Sequence, residues 1–342
     1  MRWQLPVNQG RSFEKGTQVV PRALVTGGAG FIGSHVADRF LAGGYEVDVI
    51  DNLSSGRREN VPGAATFYEL DVGSPEAADI VRRGSFDVIV HLAAQMDVRK
   101  SVADPAYDAK VNILGTLNLL EAARKEAPRC RIVFTSTGGA VYGTFANPPT
   151  VETHSKEPES PYAVSKLSAE YYLAYYFQLY GLESAVLRFG NVYGPRQDPH
   201  GEAGVVSIFC NRLLDGRALT VFGDGLQTRD YIHVADVIEA AWLAATRTLP
   251  DDSGLDARAF NIGTAIGTSV LDLASQLQRA AGTNVPIEFA PKRPGEQQES
   301  FIAIGKASQV LGWVPRIDLA EGLANTYKWF AARRLTEATG RS

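Results

Sequence analysis

Residues 23–51 constrain this chain more than any other stretch. Ala23-Leu24-Val25-Thr26 reads as a short buried strand, and Gly27-Gly28-Ala29-Gly30-Phe31-Ile32-Gly33 follows it directly. Ser34 to Leu41 reads as a helix closed by Gly43-Gly44, and Val47-Asp48-Val49-Ile50 as a second strand ending at Asp51-Asn52. A strand, a glycine turn, a helix and a strand within about 30 residues form a βαβ unit, the setting in which a glycine motif carries meaning.

The glycines satisfy two registers at once, Gly27, Gly30 and Gly33 at three-residue spacing and Gly28-x-Gly30-x-x-Gly33. Each missing side chain has a use: a tight turn, close approach of backbone N–H groups to a pyrophosphate, and close packing of helix on strand. Asp51 follows about 20 residues later at a strand end, where a carboxylate accepts hydrogen bonds from ribose hydroxyls. A carboxylate there repels a 2′-phosphate, so NAD is expected rather than NADP, although Arg57 and Arg58 lie close by. The bland alternative is a glycine-rich turn that binds nothing.

The alternation continues. Thr66-Phe67-Tyr68 leads to Asp71-Val72, Phe86 to His91 leads to Leu92-Ala93-Ala94-Gln95, and Arg131 to Phe134 leads to Thr135-Ser136-Thr137. Ser184 to Arg188 leads to Phe189-Gly190-Asn191, with helices expected over 104–126 and 162–180. The expected fold is α/β, a Rossmann-like doubly wound parallel sheet with ligands at the carboxyl ends of its strands. Beyond Asn191 a long Gly- and Pro-punctuated loop begins. The chain therefore divides into an N-terminal extension (1–20), a dinucleotide-binding domain (21–191 plus about 229–263) and a smaller α/β substrate-binding domain (192–228 and 264–342).

Tyr162 and Lys166 stand four positions apart, one turn on one face of a helix. A free phenol titrates near pH 10, and a nearby ammonium lowers that value. The pair is a candidate general base or acid for a hydroxyl or carbonyl. By itself it also fits an ordinary solvated helix face.

Composition excludes several classes. With 45% hydrophobic and 21% charged residues and a net charge of -4, there is no electrostatic reason to expect nucleic acid or an anionic membrane as partner. Cys130 and Cys210 have no paired spacing, which suits a reduced, cytoplasmic setting. Met1 to Val20 is polar and has no apolar h-region, so it is not expected to be a secretory signal. His35, His91, His154, His200 and His233 form no metal-ligand spacing, and His35 and His91 read as packing or hydrogen-bonding residues. Tyr171, Tyr172, Tyr175, Tyr176, Phe177 and Tyr180 are too many large residues for one core-facing stripe, and the 104–126 helix is likewise apolar on more than one side. Either a second copy of the chain (a homodimer) or the smaller domain covers them.

The motifs occur in a telling order: Thr26 to Ser34, Asp51-Asn52-Leu53, His91-Leu92-Ala93-Ala94, Val141-Tyr142-Gly143, Tyr162 with Lys166, Arg229-Asp230-Tyr231 and Arg293-Pro294-Gly295-Glu296. This resembles the extended short-chain dehydrogenase/reductases, most closely the UDP-glucose (UDP-galactose) 4-epimerases, from about residue 21 to 332. The resemblance implies an NAD-dependent epimerisation of a UDP-sugar. Tyr162 as phenolate would remove the proton of the 4-hydroxyl while hydride leaves C4; the keto sugar then turns over and hydride returns to its other face. It implies catalytic roles for Thr137, Tyr162 and Lys166. Cofactor contacts are expected from Gly27, Gly30, Phe31, Ile32, Gly33, Asp51, Asn52, Asp71, Val72, Leu92, Ala93, Ala94, Gln95 and Asn112, together with Tyr162 and Lys166. Substrate contacts are expected from Thr137, Gly138, Gly139, Tyr162, Asn191, Val206, Arg229, Arg293 and Glu296, with no metal.

Two departures bear on the reaction. Related dehydratases and decarboxylases carry an acid just after the Thr/Ser, whereas here Gly138, Gly139 and Ala140 follow Thr137. Elimination thus lacks its extra proton donor. Ser300 falls near a position where some epimerases carry a bulky tyrosine, so a pocket tolerant of N-acetylated sugars or a C6 carboxylate is expected. A UDP-glucuronate or UDP-GlcNAc 4-epimerase stays open, with Arg196 as one possible carboxylate partner, as does a regulator that senses NAD without turnover.

Overall fold

Strand β1 (Arg22–Thr26) runs parallel to β2 (Glu46–Asp51) on one side and β4 (Val88–His91) on the other, with Val25 opposite both Val49 and Val90. The computed structural model describes residues 20–144, 146–198, 204–293, 297–338 and 340. Its main sheet has seven strands, all parallel, in the order β11-β6-β5-β4-β1-β2-β3. The outer members are β3 (Thr66–Glu69), β5 (Arg131–Thr137), β6 (Ser184–Phe189) and β11 (Ala259–Ile262).

Period-two alternation sorts the strand residues onto two faces. Val25, Val49 and Val90 pack with Val36 and Phe40 of helix α1 (Phe31–Ala42) and with Val237, Ala240 and Ala244 further along the chain. Leu24, Ile50 and Ile89 pack instead with Ala77 and Val81 of α2 (Pro75–Gly84) and with Leu119, Leu120, Ala169 and Leu173. Both faces are covered, as the Val- and Ile-rich strands require.

Two expected elements differ. β4 starts at Val88, two residues later than expected, with the Phe86 ring buried beside Gly84. The single helix expected over 104–126 is three pieces: α4 (Pro105–Ala109), a π-helical turn over Lys110–Leu114, and α5 (Gly115–Glu126), preceded by α3 (Val98–Ala103). Asp104 caps α4 by accepting from the Tyr107 N–H, and Pro105 fills its first position. The widened turn brings Asn112 inward, where it is 2% exposed.

Helix α6 (Pro161–Tyr180) has clear local causes. Ser160 accepts from the Ala163 N–H, Pro161 occupies the first position, and Gly181 ends it at φ 67°. Ala169, Leu173 and Tyr176 face the sheet. Tyr171, Tyr172, Tyr175, Leu179 and Tyr180 are exposed, so within the described chain the smaller body does not cover them.

After β6 come β7 (Asn191–Tyr193), α7 (Val205–Leu214), β8 (Leu219–Phe222), β9 (Thr228–Arg229), β10 (Tyr231–His233) and α8 (Val234–Thr246). Strands β12 (Thr268–Ser269), β13 (Ile287–Ala290) and β14 (Glu299–Ser300) and helices α9 (Val270–Ala281) and α10 (Leu319–Ala338) complete the chain. Helix α8 packs on α1 and the main sheet, while α7, α9 and α10 enclose a separate core with Phe209, Leu273, Leu277 and Leu323. Small sheets β12-β9-β14 and β13-β8 lie in the same region.

Candidate active site

Gly27 turns the chain at φ 72°, and a Cβ there would come 2.7 Å from the Ala93 nitrogen. A Cβ on Gly33 would run into the Gly27 carbonyl. Among the described residues no side chain caps α1 at Gly30, so its first N–H groups stay directed toward the turn, with Phe31 and Ile32 half-buried beside it. Asp51, 8% exposed, is tied to the same turn: its Oδ2 accepts from the Ala29 N–H at 3.0 Å and its Oδ1 from the Leu53 N–H at 2.8 Å. Each oxygen keeps a further lone pair for a hydroxyl donor. Arg57 lies near Glu59 and Asp198, and Arg58 stacks on Phe67, so both have partners besides a 2′-phosphate. Asn52 donates to Asp71, which also holds the Gly73 N–H, while Val72 is buried in the core behind them. A helix end without a side-chain cap, a glycine turn and a carboxylate with free lone pairs beside it together fit NAD.

Beyond β4, half-buried Leu92, Ala93 and Ala94 continue this wall. A directed chain of hydrogen bonds supports it. The Ala93 N–H donates to Thr26, whose hydroxyl lies 2.7 Å from His91 Nδ1; His91 Nε2 lies 3.0 Å from the Thr116 hydroxyl, which donates to the Asn112 carbonyl. Since Thr116 spends its proton on Asn112, His91 carries its proton on Nε2 and accepts at Nδ1. Burial, with Lys166 nearby, lowers the His91 pKa to about 3, so it is neutral. His91 is a hydrogen-bonding residue, as its place at a strand end led us to expect. His35 likewise donates to the Pro195 carbonyl.

Thr137 ends β5 opposite Phe189, at the same carboxyl edge as the glycine turn. Lys166 is 4% exposed; its Nζ donates to the Thr135 carbonyl at 3.0 Å and lies over the Phe134 ring. The protonation state differs from the expectation. Burial, reinforced by the Asp108 carboxylate, pushes the Tyr162 phenol up rather than down. Burial also lowers Lys166 to about 8, opposed by Asp108 and Glu170.

On the other side, strand pairing sets Arg229 directly across from Ser300. A Cβ on Gly139 would lie 3.9 Å from Ser300 Oγ and 4.0 Å from Asn191 Oδ1. Gly139, Asn191, Arg229 and Ser300 thus converge on one place, with Gly138 packed against Ile302. Asp230 ties this corner together. Its carboxylate accepts from the backbone of Thr264, Ala265 and Ile302, and its carbonyl from Asn191. Arg293 is exposed, with its guanidinium over the Phe222 ring. Val206 is buried in the core of the smaller body, and Glu296 lies outside the described residues.

Sequence reasoning placed Asp230 in a motif without giving it a role, and it missed Asp108. Asp108 Oδ1 accepts from Gln95 Nε2 at 2.8 Å and Asn112 Nδ2 at 3.1 Å, and the Asn112 amide exchanges two bonds with the Gln95 backbone. Only the Asx-cap residue Asp104 and Pro105 hinted that a helix starts just before it.

A glycine turn between strand and helix and a Tyr-x-x-x-Lys helix at one edge of a parallel sheet are the features of an extended short-chain dehydrogenase/reductase of the nucleotide-sugar type. Residues 24–326 match the family described as GDP-mannose 4,6 dehydratase, and the chain belongs to that family. A UDP-glucose 4-epimerase of Mycolicibacterium smegmatis is 45% identical over 314 residues, covering 90% of this chain and 98% of its own. The crystal structure of a Thermotoga maritima UDP-glucose 4-epimerase with UDP-glucose is 44% identical with a TM-score of 0.87, covering 92% of this chain and 99% of that one. A Thermus thermophilus UDP-glucose 4-epimerase in complex with NAD is 43% identical with a TM-score of 0.83, covering 91% and 99%.

Proposed function

We propose that this chain is an NAD-dependent 4-epimerase that interconverts UDP-glucose and UDP-galactose through a transient 4-keto sugar. The observation that carries this reading is the Tyr162–Lys166 pair on α6 at the sheet edge that also bears the glycine turn, with glycines rather than an acid after Thr137. Bound NAD supplies a hydride acceptor that gives the hydride back. Tyr162 takes the proton of the 4-hydroxyl and returns it, Thr137 bridges that oxygen to the phenol, and Lys166 as a cation favours the phenolate. Asn191, Arg229, Arg293 and Glu296 hold the UDP group, with guanidinium groups suited to phosphate oxygens. Relatives of high identity over nearly full length bear the epimerase name, which supports this reading over elimination.

A second reading concerns the sugar. Ser300 faces Gly139 with no bulky side chain between them, which favours a pocket that also admits N-acetylated hexoses. Arg196 is ion-paired with Asp38 at 2.7 Å, which weakens the case for a C6 carboxylate as the preferred group. The exposed tyrosine face of α6, with Val164 and Leu179, supports a homodimer. Buried free Cys130 and Cys210 fit a cytoplasmic setting.

The test is to incubate purified protein, without added NAD, with UDP-glucose, UDP-GlcNAc and UDP-glucuronate and resolve the products by NMR. UDP-galactose is expected from UDP-glucose. Tyr162→Phe should fold yet lose on the order of 10²–10⁴ in turnover. Full turnover by that variant overturns the assignment, and no product from any substrate overturns the activity.

A further inference from the structure

Asp108 is fully buried in α4, and only one of its two carboxylate oxygens is satisfied. Oδ1 takes both available amide donors, Gln95 Nε2 and Asn112 Nδ2, while Oδ2 finds no hydrogen-bond partner among the described residues. A buried carboxylate left half-bonded is costly unless a positive charge lies within its field. Helix α4 packs against α6, the helix that carries Tyr162 and Lys166.

The charges around that pair come from several elements. Glu170 on α6 also bears on Lys166, but its carboxylate is held by Arg188 of β6 at 2.6 Å. His91 of β4 is neutral. Asp108 is therefore the acid near the pair whose charge no guanidinium already offsets among the described residues.

We propose that Asp108 is a positioning residue for catalysis: its carboxylate is the counter-charge that keeps the proton on Lys166 and sets the pH range in which the Tyr162–Lys166 pair works. This rests on the epimerase reading above. Both groups give up their protons less readily beside a fixed negative charge. The cost at Tyr162 is the counterpart of the benefit at Lys166, since a neutral lysine gives the phenolate no support.

Asp108→Asn tests this, because asparagine keeps an acceptor for Gln95 and Asn112 and removes the charge, with an N–H2 group in place of Oδ2. In a plot of log kcat against pH, both limbs should move to lower pH by about one unit. Ultraviolet titration of the phenolate, taken as the difference from Tyr162→Phe, should move the same way. A lower bell with its limbs in place marks a merely structural role and overturns the proposal, as does an unchanged profile. If Asp108→Asn fails to fold, Asp108→Ser removes the charge, leaves room for water and faces the same two outcomes. Wild-type turnover is measured first, so inactivity there refutes the epimerase reading, whereas unmoved limbs in an active variant refute only the role of Asp108.

Discussion

Arg188 on β6 grips both carboxylate oxygens of Glu170 on α6, Nη2 to Oε2 at 2.6 Å and Nε to Oε1 at 3.2 Å, and both side chains are wholly buried. Glu170 lies one turn beyond Lys166 on the same helix and also accepts from Ser136, the neighbour of Thr137. The Arg188 guanidinium reaches further, to Asp256 at 2.8 Å, to the Tyr142 hydroxyl at 3.0 Å and to the Glu152 carbonyl. This cluster fixes the rotation of the helix carrying Tyr162 against the strand carrying Thr137. Its function is geometric, since the desolvation of such a pair roughly cancels its attraction.

Breaking the pair from one side leaves a buried guanidinium partly uncompensated. Glu170→Ala should cost about 3–5 kcal/mol of stability, and Glu170→Leu combined with Arg188→Met should recover much of the loss. Urea unfolding of the three proteins, wild type included, checks this. A cost under about 1 kcal/mol for Glu170→Ala would show the cluster to be dispensable.

The buried neutral His91 predicts an acid-side loss of stability. Its folded pKa, about 3, lies below the unfolded value of 6.5, so the unfolded chain binds a proton first as pH falls. The stability that rests on neutral His91 is complete above pH 6.5 and is lost progressively down to about pH 3. Between pH 6.5 and 4.5 the advantage of wild type over His91→Gln should shrink by about 2–3 kcal/mol, read from urea midpoints at each pH. A difference that stays constant across that range contradicts the assignment.

Ser300 predicts substrate choice. Ser300→Tyr places a ring where Gly139, Asn191 and Arg229 converge. Turnover of UDP-GlcNAc should fall at least tenfold relative to UDP-glucose, about 1.4 kcal/mol of discrimination, in line with what one steric change in a pocket achieves. Competition assays with both sugars give the ratio directly. An unchanged ratio removes Ser300 from the pocket wall.

The sequence by itself determined the βαβ unit, the glycine cradle with Asp51, the run of parallel strands, and the helix bearing Tyr162 and Lys166. Each is written in short-range pattern: short unbroken apolar strand runs, glycines three apart and a pair one turn apart. Tertiary structure alone decided the π-helical turn at Asn112, the Asp108–Gln95–Asn112 network, the Arg188–Glu170–Asp256 cluster and the approach of Ser300 to Gly139. These join residues distant in the chain, such as Arg188 to Asp256, and no local period encodes them. The environment of Tyr162 belongs with them: spacing supplies a lysine one turn away, while desolvation and the Asp108 carboxylate, both brought by the fold, push the phenol up.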